Sequence, residues 1–307
     1  MPDRIAFSPL DLAAFVAFLV FVIGVSLYAS RREETNEDYF LAGRRLSWWL
    51  IGFSLIASNI STEHFVGMAG RGYDLGLAIA SYEWMAAVTL VVVGLWFLPR
   101  FLRLGIYTMP EYLEYRYDVR VRTVMASFMM LAYVFVALAT VLYSGALALE
   151  AIFGIPVVPG IWVIGVLAGI YTVYGGLGAV VWSDLIQGIA LLLGGVLVTV
   201  LGFQAMGGID PFMDAAGDKL HTVLPWNHPE MPWVAVFIGG LWIPNLFYWG
   251  LNQFITQRTL GARSLADGQK GIVLAAALKL VIPFIIVFPG IMAAELFGDQ
   301  VTNPDQA

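Results

Sequence analysis

Residues 48–70 read WWLIGFSLIASNISTEHFVGMAG. The stretch is long and apolar enough to cross a bilayer, which takes about 20 helical residues. Its centre nevertheless carries Ser58, Asn59, Ser61, Thr62, Glu63 and His64. Polar and ionisable groups at that depth are expensive and mark substrate or ion pathways. A helix can break there only where the freed backbone faces protein or a water-filled cavity. The competing reading is a polar face that glues neighbouring helices together. Helix packing does not call for six polar residues in seven positions, so a broken helix around a polar site is expected.

The rest of the chain fits a polytopic membrane protein. It is 60% hydrophobic and 12% charged, where soluble domains carry roughly 25% charged residues. Eight spans are expected, near 9–29, 48–70, 77–99, 122–149, 157–174, 179–206, 233–256 and 270–296. The first is read as a span rather than a cleaved leader, because Asp11 sits near its start and Arg31-Arg32 follow it. Cysteine is absent from all 307 positions, which removes disulfide and thiolate chemistry. The net charge of −6 is spread over separate loops and offers no nucleic-acid surface.

Basic residues set the expected orientation. Of the 16 Lys and Arg, 12 fall in alternate connections: Arg31, Arg32, Arg44 and Arg45, then Arg100, Arg103, Arg116, Arg120 and Arg122, then Arg258, Arg263 and Lys270. The opposite side holds Arg4, Arg71 and Lys219. The positive-inside rule then puts the N-terminus outside a cell (plasma or inner) membrane. The long loop 207–232 is external. His221 and His228 lie in it without paired metal-ligand spacing, which reads as a solvated loop.

A second interruption supports the first. IGGLWIPNLFYW (238–249) places Gly239-Gly240 and Pro244-Asn245 within a span, and proline removes a helix hydrogen bond. The interrupted spans are the second and the seventh. An odd offset of five gives them opposite orientations, the pattern of an inverted-topology repeat with a midplane site between two discontinuous helices. The expected fold is thus an all-α integral membrane transporter. One extra N-terminal helix precedes a first five-helix repeat (48–206), and 233–307 is the start of a second, incomplete repeat. A truncated sequence is the corresponding expectation.

Seven segments carry a family resemblance: YFLAGRRLSWW (39–49), SLIASNISTEHFVGMAG (54–70), LAIASYEWM (77–85), GIYTMPEYLEYRY (105–117), YGGLGAVVWSDLIQG (174–188), GGLWIPNLFYWGLNQFITQRTL (239–260) and QKGIVLAAALKLVIP (269–283). In these the chain resembles the sodium/solute symporter family, in its sodium–glucose cotransporter branch, and within that the bacterial sodium/galactose symporters. The likeness covers essentially the whole chain and corresponds to roughly the N-terminal 60% of such a protein. It implies a sugar site at His64, Glu83, Asn245 and Lys279, with Asn59 bracing the broken helix beside it. Tyr248 takes the place of an aromatic that stacks on the sugar and blocks inward exit. Met68 and Tyr82 take the place of an outer apolar gate. The implied sodium site uses the backbone carbonyls of Ala57 and Ile60, with further ligands from a later span, and Asp184 lies on the sodium exit route. Ala86 stands where the nearest relatives have a sugar-contacting serine, and His64 where they have glutamine.

The chemistry of these residues suits a neutral polyhydroxylated ligand. Glu83 accepts hydrogen bonds, Lys279 donates them, and Asn245 and His64 do both. A compensated acid–base pair matches a neutral solute better than an excess of one sign. The expected function is sodium-coupled symport of a hexose, glucose or galactose, by alternating access. Sodium serves as coupling ion and no organic cofactor is needed. Unwound carbonyls hold a small hard cation without a buried charge. The alternatives are proton coupling through Glu63, Glu83 or Asp184, a sugar-binding sensor, a non-transporting fragment, or another neutral polyol-like solute. No nucleophile–base pair or phosphate loop points to an enzyme.

Overall fold

The computed structural model describes residues 8–30, 35–61 and 64–298. The expectations attached to Arg4, Arg31, Arg32, Thr62, Glu63 and 301–307 lie outside the described residues. Fourteen α-helices are described: α1 (Pro9–Ala29), α2 (Asn36–Leu41), α3 (Trp48–Asn59), α4 (Ala69–Leu75), α5 (Ser81–Val92), α6 (Leu98–Leu104) and α7 (Met109–Arg116). They continue as α8 (Val119–Ala132), α9 (Ala139–Phe153), α10 (Val157–Ala205), α11 (Ile209–Ala216), α12 (Trp242–Gly250), α13 (Gln253–Leu260) and α14 (Leu265–Phe297). Short 3₁₀ and π segments join several of them end to end. Among the described residues the sole extended pairing is a single bridge between Leu46 and Ala262.

Local chemistry sets several boundaries. Ser8 and Asp11 form a reciprocal capping box that starts α1. Thr35 and Asp38 do the same for α2. Proline stands in the first turn of α1 and α7, where its missing N–H costs nothing. Five helical stretches are long and apolar enough to cross a membrane, or six with the bent pair Val234–Gly250 and Gln253–Leu260, which turns by 50°. That count is lower than eight because connections are tight. The 49-residue α10 leaves helical geometry only at Gly176 (φ 50°, ψ −153°), which L side chains rarely adopt. The stretch His64–Leu104 likewise runs through Gly76 (φ 72°).

α14 is the axis of the bundle. It packs against α3, α4, α5 and α10. Small residues let the backbones approach, as in membrane helix pairs. A Cβ on Gly290 would lie 2.0 Å from the Ala69 carbonyl, and one on Gly271 would lie 2.7 Å from Ile51. The main core gathers Leu50, Ile51, Leu55, Ile56, Leu90, Ile272 and Ile282 around this axis. α8, α9 and α1 turn long apolar faces outward, with Val124, Phe128 and Phe135 exposed. Hydrocarbon is a medium that accepts such a surface, since every backbone group is bonded within its helix.

Candidate functional site

The site begins where α3 stops. Asn59 is its last helical residue, and Ile60 is extended (φ −76°, ψ 116°). The chain re-enters helix at His64 through a π segment, His64–Met68, before α4. This is the interruption expected from the polar run, and π segments often occur at functional sites. A helix end leaves its last carbonyls without intrahelical donors, so the Ala57–Ile60 stretch offers backbone oxygens. The Ile60 N–H still donates to the Ile56 carbonyl at 2.9 Å.

The other wall comes from α5, α12 and α14. Glu83 lies in the first turn of α5. Asn245, Tyr248 and Trp249 share one face of α12, three and four residues apart as helix geometry requires. Lys279 projects from α14 among apolar neighbours and has no solvent exposure; Glu83 is 4% exposed. The Lys279 ammonium donates to Glu83 Oε2 and to Asn59 Oδ1. It also sits 5.2 Å from the centre of the Trp249 ring, in cation–π range. His64 Nε2 lies 3.7 Å from Glu83 Oε1. The Ser61 N–H points at His64 Nδ1 at 3.4 Å, which leaves Nε2 to carry the proton of a neutral ring and face the carboxylate. Asn245 Nδ2 donates to the Leu241 carbonyl at 2.9 Å, so its Oδ1 remains an acceptor.

These groups enclose a cavity of about 330 Å³. Eight residues singled out from the sequence line it: Asn59, His64, Met68, Tyr82, Glu83, Asn245, Tyr248 and Lys279. Ala86 lines it as well, so the cavity wall carries a methyl at that point. Sequence reading took Pro244 only as a helix breaker and missed Leu241, Phe247 and Trp249; these four complete the lining.

Ala57, Ile60 and Asp184 do not line this cavity. Ala57 faces the second half of α10, with its Cβ 3.2 Å from where a Cβ on Gly188 would stand. One turn earlier on α10, Asp184 accepts from Ser54 Oγ (2.5 Å) and Ser58 Oγ (3.1 Å). Arg258 of α13 reaches the same carboxylate oxygen from NH2 at 3.0 Å and Nε at 3.3 Å, and also donates to Ser54 Oγ at 2.8 Å. Sequence reading placed Arg258 among loop cations. The structure instead buries it at 7% exposure in this network, because α13 turns by 50° after α12 and packs against α3. The partnership spans 74 positions, and no local pattern announces it.

Comparison with known proteins agrees with this geometry. The family model described as the sodium:solute symporter family matches residues 39–306. The sodium/glucose cotransporter of Vibrio parahaemolyticus is 48% identical over 306 residues, covering 95% of this chain and 56% of that protein. Sodium/glucose cotransporter 1 of Sus scrofa is 32% identical over 317 residues, covering 95% of this chain and 48% of its own length. The chain therefore spans about half the length of the curated relatives it matches. A solved structure of the substrate-bound outward-open state of a Na+-coupled sialic acid symporter superposes with a TM-score of 0.87 at 28% identity, over 95% of this chain and 62% of that one. The chain belongs to the sodium:solute symporter family.

Proposed function

We propose that this chain forms the substrate-binding part of a sodium-coupled hexose symporter working by alternating access. The observation that carries the reading is the neutralised polar cluster in the cavity. Glu83, Lys279, Asn59, His64 and Asn245 converge there from five helical segments, inside a largely apolar bundle. Each sugar hydroxyl is both donor and acceptor, and the cluster offers both. The lone lysine of the lining is already paired with a carboxylate. A neutral glucose or galactose, or another neutral polyol, fits that balance better than an acidic sugar does. The Tyr248 ring faces the apolar side of the hexose and bars the inward route, while Met68 and Tyr82 close the outward one.

Sodium is the coupling ion in this reading. Its ligands include the carbonyls of Ala57 and Ile60 at the end of α3, and Asp184 lies on its inward route. Oxygen donors from an unwound helix suit a small hard cation. A monovalent ion gains about 2.3 kcal/mol per 100 mV, and a tenfold gradient adds about 1.4 kcal/mol. Together these suffice to concentrate a neutral solute several hundredfold. The protein lies in the cell membrane with its N-terminus outside, and 48–206 forms the first of two inverted repeats begun again at 233. The test is uptake of labelled D-glucose and D-galactose into proteoliposomes at fixed pH, with sodium replaced by choline. Uptake should vanish in choline. Uptake that persists in choline and follows an imposed proton gradient would establish proton coupling instead.

A further inference from the structure

The break between α12 and α13 is held by a residue of another span. α12 ends at Gly250, and Leu251 and Asn252 both donate their N–H to the Phe247 carbonyl at 2.9 Å. The chain then turns by 50° into α13. Asn252 stands at the N-cap position of α13 with extended backbone (φ −73°, ψ 123°). An asparagine oxygen there normally accepts from the second or third helical N–H, yet this side chain makes no such bond. Its Oδ1 instead accepts from the Tyr133 hydroxyl at 2.7 Å. The same hydroxyl accepts the N–H of Gln253, the first free donor of α13, at 3.1 Å. Tyr133 heads the π segment Tyr133–Leu138 that joins α8 to α9. A phenol from a different span thus caps α13 in place of its own asparagine. Asn252 is 5% exposed, so its side chain must find partners within the protein. The Tyr133 ring packs edge-on against Phe254 with centroids 6.0 Å apart, and Phe254 packs on Tyr248 at 5.8 Å.

We infer that Tyr133 is a latch on the α12–α13 bend, and that its release, with Asn252 turning to cap its own helix, opens the inward route beneath Tyr248. The inference rests on reading the chain as an alternating-access symporter. Asn252 Oδ1 has two mutually exclusive sets of donors. With Tyr133 in reach it accepts the phenol. With α13 swung away from α8 and α9 it accepts the N–H of Phe254 or Ile255. The exchange trades two neutral hydrogen bonds for one, so the two arrangements differ little in free energy. Neither arrangement strands the Asn252 oxygen. An element with two satisfied positions of similar energy is what a conformational switch requires. The swing carries Phe254, and with it the support of the Tyr248 ring. Tyr133 does not line the polar cavity, so it acts as a positioning residue and not as a sugar ligand.

The experiment exploits the lack of cysteine in the chain. The parent carries Ala86→Cys, a single thiol on the wall of the polar cavity. In inside-out membrane vesicles without sodium, a membrane-impermeant methanethiosulfonate reaches that thiol only through an open inward route. Tyr133→Phe deletes the hydroxyl, keeps the ring on Phe254 and leaves Asn252 free to cap α13. It should speed labelling by about tenfold, the weight of one to two neutral hydrogen bonds. Asn252→Ala removes one bond from the latched arrangement and the cap from the released one, so it should label no faster than the parent. Added to Tyr133→Phe, it should bring the rate back down. General loosening of the fold would instead speed labelling in both single variants. Tyr133→Phe labelled no faster than the parent, or Asn252→Ala accelerated as much as Tyr133→Phe, would overturn the latch. Saturating sodium should slow labelling of the parent by favouring the outward-facing form. Labelling of the parent that responds to neither sodium nor D-galactose would instead overturn the alternating-access reading.

Discussion

The pair Glu83–Lys279 allows a structural role to be separated from a substrate-binding one. Lys279 is fully buried and bonded to Glu83 and Asn59. In Lys279→Met the side-chain length is kept but the Glu83 carboxylate retains only His64 Nε2, 3.7 Å away. Removing one partner of a buried pair costs about 3–5 kcal/mol. At 1.4 kcal/mol per decade that is roughly two to three and a half decades in the folding equilibrium. Glu83→Gln alone strands the ammonium and should cost a similar amount. The double variant Glu83→Gln/Lys279→Met removes both charges at nearly constant volume, and such replacements are often neutral or stabilising. It should therefore regain most of the thermal stability of solubilised protein. It should not regain sugar uptake, because two charged hydrogen-bonding groups are gone, each worth about 1.5–3 kcal/mol to a bound hydroxyl. The assay pairs the unfolding midpoint with sodium-driven hexose uptake per folded molecule. A stable double variant that transports with wild-type affinity would reduce the pair to scaffolding. A Lys279→Met protein as stable as the wild type would refute the electrostatic argument itself.

Two further outcomes follow from the same geometry. Tyr248→Phe keeps the ring face that lines the cavity and should transport nearly normally, while Tyr248→Ala removes both the lid and the stacking surface. Coupled uptake of the alanine variant should collapse when normalised to folded protein in the membrane, and full transport by it would exclude a gate. Arg258→Gln removes the guanidinium that ties α13 to Asp184, and should destabilise the protein by on the order of 3 kcal/mol. Adding Asp184→Asn should return part of that loss, measured as the coupling in a double-variant cycle; strict additivity would mean the two side chains do not interact.

The break in the second apolar stretch was legible because its cause is local. Ser58 to His64 cannot all be satisfied on one helix face in hydrocarbon, and α3 does end at Asn59. The gathering of Glu83, Asn245 and Lys279 was legible by another route, the likeness of three separate segments to one family. Trp249 lies beside Tyr248 and on the face of Asn245, yet an apolar aromatic in an apolar span carries no mark of its own. Arg258 was misread for a physical reason. Its neighbours Gln257 and Thr259 look like a helix end reaching water, and only the fold brings Ser54 and Asp184 to it. Within α10, Gly176 alone leaves helical geometry, between the expected spans 157–174 and 179–206.

The prolines tie the backbone to the cavity. Pro283 lies four residues after Lys279 in α14, so it lacks the N–H that would bond the Lys279 carbonyl. Pro244 instead sits in the first turn of α12, just before Asn245, where its missing N–H removes no helix hydrogen bond. Asn245 then uses its own amide to bond the Leu241 carbonyl at 2.9 Å, in addition to its backbone N–H at 3.3 Å. α14 is thus weakened within one turn of Lys279. A helix weakened there bends more readily than one with a full ladder. Any tilt of α12 moves Asn245, Tyr248 and Trp249 together, because they share one face. Bending at Pro283 moves the C-terminal half of α14, including Gly290 against Ala69, and leaves Lys279 anchored by Glu83 and Asn59. The sequence therefore puts a weakened turn of α14 next to the polar cluster, and the Lys279 bonds to Asn59 and Glu83 tie that turn to α3 and α5.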